Sequence, residues 1–391
     1  MRVAIVGGGI GGLATAASLH RHGIRSTVYE QASRFMEVGA GIVLAPNAAR
    51  LIRRLGAGSF LDRLAVRLEA AWEFRRWEDG RVLSSENLTD RCRQLYGEET
   101  YTAHRADLLD ALRRSVPAEC LRLGKKCVRV QLDGDRVTLT FADEEVVVAD
   151  IVIGADGVHS VLRSALTSLG QPTFSGLSAF RALVPAEAAP DFARRNVQTI
   201  WLGPDRHFVH YPISAGRYVN LVAIGPADGY TVESWSAAAT VEELLAEFEG
   251  WDARVPDLIL AANTPGRWAL LDRAPLHKWT TGRATLLGDA AHPMFPFFAQ
   301  GAAQAIEDAA VLARCLAEAS DDPAGALLRY ERLRRPRTTG IQLVSHDRAR
   351  INHLHDGPDQ AARDSALAKS DPLVASGWIY SYDPDVACDE S

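Results

Sequence analysis

Arg2–Val6 is a β-rich run that breaks at Gly7-Gly8-Gly9-Ile10-Gly11-Gly12, after which Leu13–His22 reads as a helix. Gly7, Gly9 and Gly12 match GxGxxG spacing. The first glycine makes the tight turn, the second lets a pyrophosphate approach the backbone, and the third permits helix–strand contact. The helix N-terminus offers its unpaired N–H groups to the same anion. Ala14, Ala16 and Ala17 are small enough to lie close on a sheet, and Gly23 stands where a helix ends. A second strand, Arg25–Glu30, closes on a carboxylate suited to an adenosine ribose. For an isolated GxGxxG, a glycine turn with no ligand is an equal alternative. The strand–turn–helix–strand order and Glu30 favour binding, and predict an α/β chain with a Rossmann-like core.

Two later stretches repeat the logic. Asp156-Gly157 follows the apolar Ile151–Gly154, and Asp289 follows Thr285-Leu286-Leu287-Gly288. Either alone reads as a turn, but two acids at the carboxyl ends of apolar strands lie where α/β sheets bind ligands. A Pro- and Phe-rich loop, Pro293–Phe298, then leads into a small-residue helix opening at Gln300-Gly301. Between these motifs, Val128–Gln131, Val137–Phe141 and Glu145–Val148 alternate around turns as a β-meander. Val197–Leu202, His207–Ile213 and Tyr218–Ile224 predict a second, mostly antiparallel layer within Ser175–Trp268. Helical periodicity returns at Gly301–Ala319 and Ala324–Arg335, while the tail after Asp356 is polar and yields no assignment.

A length of 391 residues suits one large or two intimately joined domains. A net charge of −6 argues against a nucleic-acid or anionic-membrane surface. The cluster Arg332–Arg337 reads as a solvated helix face. Five cysteines without a CxxC pair indicate a reducing compartment. No secretory pattern opens the chain and no apolar stretch is long enough for a bilayer, so the expectation is a cytoplasmic protein. The pairs His20/His22 and His353/His355 lack Cys or carboxylate neighbours at metal-site spacing and read as surface histidines, with no metal.

The ordered motifs carry a resemblance. GxGxxG, "ADIVIGADGVHSVLR" (Ala149–Arg163) and "GRATLLGDAAHP" (Gly282–Pro293), with "EVGAGIVLAPNAARLIRRLG" (Glu37–Gly56) and "HRADLLDAL" (His104–Leu112), resemble the single-component FAD-dependent aromatic hydroxylases, the group A flavoprotein monooxygenases. Salicylate, 3-hydroxybenzoate and 6-hydroxynicotinate hydroxylases are the most similar, and the likeness covers nearly the whole chain. It implies an FAD-binding fold of the p-hydroxybenzoate hydroxylase type with an inserted antiparallel β-sheet substrate domain. The implied FAD domain is discontinuous (1–70, 101–174, 270–345). The substrate domain takes 71–100 and 175–269, and 346–391 forms a C-terminal segment. Non-covalent FAD would meet the turn Gly7, Gly9, Gly11 and Gly12, with Glu30, Asp156 and Arg105. Asp289 would bind the ribityl chain, and the helix N-terminus at Gly301-Ala302 would face flavin N1 and O2. Gly39-Ala40-Gly41 would admit backbone to the ring, with Val43 a backbone contact. Cys127 sits where the adenine meets main chain, and Pro293–Phe298 would roof the ring.

The activity implied is oxygen insertion into a small phenolic or heteroaromatic substrate, using NADH or NADPH and O2 through a C4a-hydroperoxyflavin. A neutral phenol is a poor nucleophile, so the site must hold it near the phenolate. In "RHFVHYPI" (Arg206–Ile213), period-2 alternation puts His207, Val209 and Tyr211 on one face and Phe208 and His210 on the other. His207 and Tyr211 align with a family His and Tyr beside the substrate. They are the expected base and orienting group. His292 follows Asp289 too closely for catalysis and is expected to be structural. Phe297 stands where salicylate and 6-hydroxynicotinate hydroxylases carry His, and Val43 where the latter carry a second. Both departures argue against decarboxylative hydroxylation of those substrates. Arg181 is open to three roles: a carboxylate partner, a flavin-edge contact or a brace between domains. A monomer and a homodimer both fit. The alternatives are a reductase of the same fold that inserts no oxygen, and a non-catalytic protein binding flavin or an aromatic ligand.

Overall fold

The computed structural model describes residues 1–35, 40–167, 172–230 and 238–389. Val3–Val6 is buried at all four positions and pairs in parallel with Ser26–Tyr29 on one side and Ile151–Gly154 on the other. Continuous apolar runs are what parallel strands covered on both faces require. Ala284–Leu286 extends the sheet beside Ile151–Gly154. The carboxyl ends of three strands therefore deliver the Gly7, Asp156 and Asp289 turns to one edge. The helix Ile10–Arg21 packs on the long helix Gly301–Glu318. Gly11 allows the approach, because a Cβ there would lie 3.3 Å from Ala305 Cβ. Cys127–Asp133, Arg136–Phe141 and Val146–Ala149 form the antiparallel meander.

Among the described residues, a second sheet has seven strands. Their order is Gly266–Asp272, Thr173–Pro185, Tyr218–Pro226, Arg206–Ile213, Val197–Gly203, Ala70–Arg76 and Val82–Asn87. Only Val197–Gly203 against Ala70–Arg76 is parallel. One face buries Phe180, Trp201, Phe208 and Leu221 under Phe248 and Leu258. The other face, carrying His207, Val209 and Tyr211, is turned to a cavity.

Two expectations are corrected. The helix Pro323–Asn352 does not stop at Arg335 but runs through Pro336. An interior proline normally ends a helix; here Thr338, Ile341, Gln342 and Ser345 beyond it are buried, and packing outweighs the lost hydrogen bond. Nor is Arg332–Arg337 simply a solvated face. Arg334 is fully buried, 2.6 Å from Glu307 and 2.8 Å from Asp308, and Arg337 lies 2.8 Å from Glu307. Those acids come from the neighbouring helix, which local sequence does not reveal. The polar tail is helical at Pro358–Lys369, and Leu373, Ile379 and Tyr380 beyond it pack against Leu68, Ala71 and Leu88. No helix among the described residues is long and apolar enough to cross a membrane.

Candidate active site

A cavity of ≈ 840 Å³ is lined from both sheets. Gly7, Gly9, Gly11, Glu30, Gly41, Val43, Arg105, Cys127, Asp156, Arg181, His207, Tyr211, Asp289, Phe297, Gly301 and Ala302 all border it. Gly12 does not: a Cβ there would lie 1.9 Å from the Gly7 carbonyl oxygen, so its absence keeps helix against turn. Gly39 lies outside the described residues.

The residues present fit FAD. Gly7 holds φ +106°, a left-handed conformation, and a Cβ at Gly9 would meet nothing within 4 Å, leaving the turn open to a ligand. The Glu30 carboxylate accepts from Gly8 N (2.7 Å) and Ala32 N (2.8 Å), which fixes its direction. A carboxylate has about four acceptor sites, so capacity for a ribose remains. Asp289 is exposed to the cavity, on a short turn entered through Gly288 at φ +57°. The helix Gly301–Glu318 starts there with no side-chain cap and no acid in its first turn. Its N–H groups are available to an anionic ring edge.

Asp156 is more locally committed. Its carboxylate accepts from Ser160 Oγ (2.5 Å), Val161 N (2.8 Å) and Leu162 N (3.2 Å), starting the helix Val161–Leu166. Burial raises its pKa despite those donors. Buried Arg163, which the sequence reading did not single out, donates to the Gly157, Val158 and Asp289 carbonyls and ties the two acidic turns together. Burial lowers its pKa to about 10.

The opposite end of the cavity is built on rungs of the second sheet. Tyr211 pairs with Asn220, and Gln198 lies one step past the Thr199–His210 pair, beside Tyr211. The next rung is Ile200, Val209, Val222 and Arg181, and the one after it Leu202, His207, Ile224 and Ala179. The floor is thus polar at Tyr211, apolar at Ile200, Val209 and Val222 with Arg181 beside them, and polar again at His207. Asn220 Oδ1 accepts from Gly41 N at 2.8 Å, and a Cβ on Gly41 would lie 2.7 Å from Tyr211 Cε2. Burial pushes Tyr211 up to about 12, with Arg181 opposing, and burial lowers Arg181 to about 10. Arg181 also lies 4.8 Å over the Trp268 ring. On the far face, Phe208 packs on Phe248 and His210 on Phe192, as the alternation requires.

His207 is 2 % exposed, and burial holds its pKa well below the usual imidazole value. Its Nδ1 lies 2.7 Å from His353 Nε2, and its ring centroid lies 5.3 Å from that of Phe297. This corrects the reading of His353 as a surface residue. The extended helix carries it inward, and burial lowers its pKa to about 4. His355 is exposed, as expected, 2.8 Å from Asp205 Oδ1. His292 holds Asp308 Oδ2 at 2.6 Å, away from the cavity lining, in keeping with a structural role. Two further wall residues carried no sequence signal. Asn352 ends the long helix, and Trp72 takes φ +46° and donates to Tyr380 OH at 3.2 Å. Among the described residues, no group of three or more His, Cys, Asp or Glu side chains could hold a metal ion.

Comparison with known proteins agrees with this geometry. Residues 1–343 match the FAD binding domain family. The 3-amino-4-hydroxybenzoate 2-monooxygenase PtmB3 of Streptomyces platensis is 44% identical over 382 residues, 98% of this chain and 96% of that protein. The 3-hydroxybenzoate 6-hydroxylase 1 of Aquipseudomonas alcaligenes is 36% identical, covering 96% of each chain. A salicylate hydroxylase substrate complex superposes with a TM-score of 0.83 at 29% identity, covering 100% of this chain and 97% of that one. Relatives of this kind insert oxygen, which favours the monooxygenase over the reductase and binding-protein alternatives. The chain belongs to the FAD binding domain family and, within it, to the FAD-dependent aromatic monooxygenases.

Proposed function

We propose that the substrate is a hydroxybenzoate whose carboxylate lies at the Tyr211 end of the cavity and whose ring hydroxyl meets His207. The observation that carries this reading is their spacing. The two residues sit four apart on one extended strand, about 13 Å at the usual rise. A benzene ring with a carboxylate and a well-separated hydroxyl, plus a hydrogen bond of about 2.8 Å at each end, spans such a gap. Salicylate, with the two groups adjacent, does not. The names of the relatives above, among them a 3-amino-4-hydroxybenzoate 2-monooxygenase, support the same class.

When bound, FAD supplies the redox chemistry, accepting hydride from NADH or NADPH and delivering one atom of O2 to the ring. The chain's own residues do the rest. Tyr211 and Arg181 orient the carboxylate, and His207, kept neutral by burial, accepts the hydroxyl proton. Phe295, Phe297, Val209 and Val222 exclude water. The N–H groups at Gly301-Ala302, uncapped and bordering the cavity, would favour an anionic flavin.

The test is reductant oxidation and product analysis, with isotope-labelled O2, across hydroxybenzoates offered to the FAD-loaded protein. 4-Hydroxybenzoates should be turned over with tight coupling. His207→Ala should keep FAD and still consume reductant, but divert it to H2O2. Undiminished coupling in that variant removes His207 as the base, and no stimulation by any hydroxybenzoate ends the substrate reading.

A further inference from the structure

His207 cannot keep the proton it takes. It is buried beside the apolar ring of Phe297, and no carboxylate touches its ring among the described residues. An imidazolium there has no counter-charge, so the proton must move on. The only ring nitrogen in contact with it among the described residues is His353 Nε2, at 2.7 Å from Nδ1. One of these two nitrogens must carry the hydrogen and the other accept it. Because Nδ1 is engaged, the nitrogen left for a substrate hydroxyl is His207 Nε2.

His353 stands at the C-terminal cap of the helix Pro323–Asn352, where it leaves the cavity wall. Its carbonyl accepts from Asp205 N at 3.1 Å, in the turn between Val197–Gly203 and Arg206–Ile213. The Asp205 carboxylate is 50% exposed and hydrogen-bonds exposed His355 at 2.8 Å. Arg206 next to it is paired with Glu247, leaving Asp205 as the acid that bears on His353. His353 therefore bridges the inner end of the cavity and a solvated acid–imidazole pair.

We infer that His353 is a positioning residue for His207 and the first step of a proton path from the bound phenol to solvent at Asp205 and His355. This rests on the reading of His207 as the base. The hydroxyl proton passes to His207 Nε2 as the Nδ1 hydrogen passes to His353 Nε2. His353 releases its Nδ1 hydrogen to water beside Asp205. One proton enters, one leaves, both rings end neutral, and the reverse sequence returns a proton after oxygen transfer. His353 does not border the cavity itself, so its action is through His207.

The experiment uses the FAD-loaded protein, 4-hydroxy-3-nitrobenzoate as a phenol whose ionisation is visible, held at a pH below its own phenol pKa, and a pH-indicator dye in weak buffer. Rapid mixing with the native protein should show the phenolate band and a proton released to solvent together. In His353→Gln, which retains a hydrogen-bonding group, binding should change by less than about threefold. Phenolate formation and proton release should slow about 10²-fold, the usual weight of one proton-transfer group. His353→Gly should behave likewise and be rescued by added imidazole, and FAD content verifies folding in both. Native rates in His353→Gln, or a His353→Gly defect that imidazole leaves unchanged, would overturn the path. A probe that fails to bind the native protein would instead count against the substrate reading.

Discussion

Phe297 places an aromatic ring where the end of the cavity beside His207 would otherwise take a polar group. A carboxylate buried against it without a partner costs several kcal/mol, roughly the effective penalty for desolvating an unpaired ion. Salicylate must set its carboxylate next to its hydroxyl, and so next to Phe297 if the hydroxyl meets His207. The native protein should convert salicylate poorly, and Phe297→His should raise its kcat/KM relative to a 4-hydroxybenzoate. Tightly coupled conversion of salicylate by the native protein would remove Phe297 as a determinant. At this scale the sequence was informative about His207 and Tyr211, because strand alternation decides facing, whereas Phe297, on a short turn, came only from the resemblance. It was silent on His353, whose histidine pair looks like any exposed one until the helix before it is known to be long.

The glycine turn shows how one motif divides its labour between ligand and fold. A Cβ at Gly9 meets nothing within 4 Å, whereas one at Gly12 would overlap the Gly7 carbonyl. Gly9→Ala should therefore leave thermal stability without FAD within about 1 kcal/mol of native while weakening FAD binding, because the methyl occupies ligand space. Gly12→Ala should destabilise the chain itself, by an overpacking cost of about 1–3 kcal/mol or more. Melting of the two apoproteins and FAD titration separate the cases; equal melting would mean the turn relaxes. The motif's spacing alone assigns the open approach to Gly9 and the helix contact to Gly12, and the space around each agrees.

Across the whole molecule, a buried charge network ties the long helix that ends on the cavity to its neighbour Gly301–Glu318. Arg334 joins Glu307 and Asp308, Asn47 donates to Glu307 at 2.6 Å, and His292 lies against Asp308. Burial favours the neutral form of Asp308, but its contacts with His292 and Arg334 prevail and hold it at about 2. Its unfolded value is about 3.9. The depressed pKa thus contributes stability that is present above about pH 4 and lost as pH falls through about 2. Arg334→Met should cost about 3 kcal/mol at neutral pH, the low end for a broken buried pair, because Glu307 keeps Arg337 and Asp308 keeps His292. It should also flatten the acid limb, measured by denaturant unfolding from pH 7 to pH 2. An unchanged acid limb would mean Asp308 is not the group that responds. By itself the sequence determined the nucleotide-binding core, the order of its anchors and the facing of the substrate strand, because these follow from short-range periodicity and glycine spacing. Only the tertiary structure decided that Arg334 is buried, that the last long helix passes Pro336, and that His353 reaches His207. Each of those depends on what a distant segment places opposite, and burial and charge pairing between distant segments leave no local pattern to read.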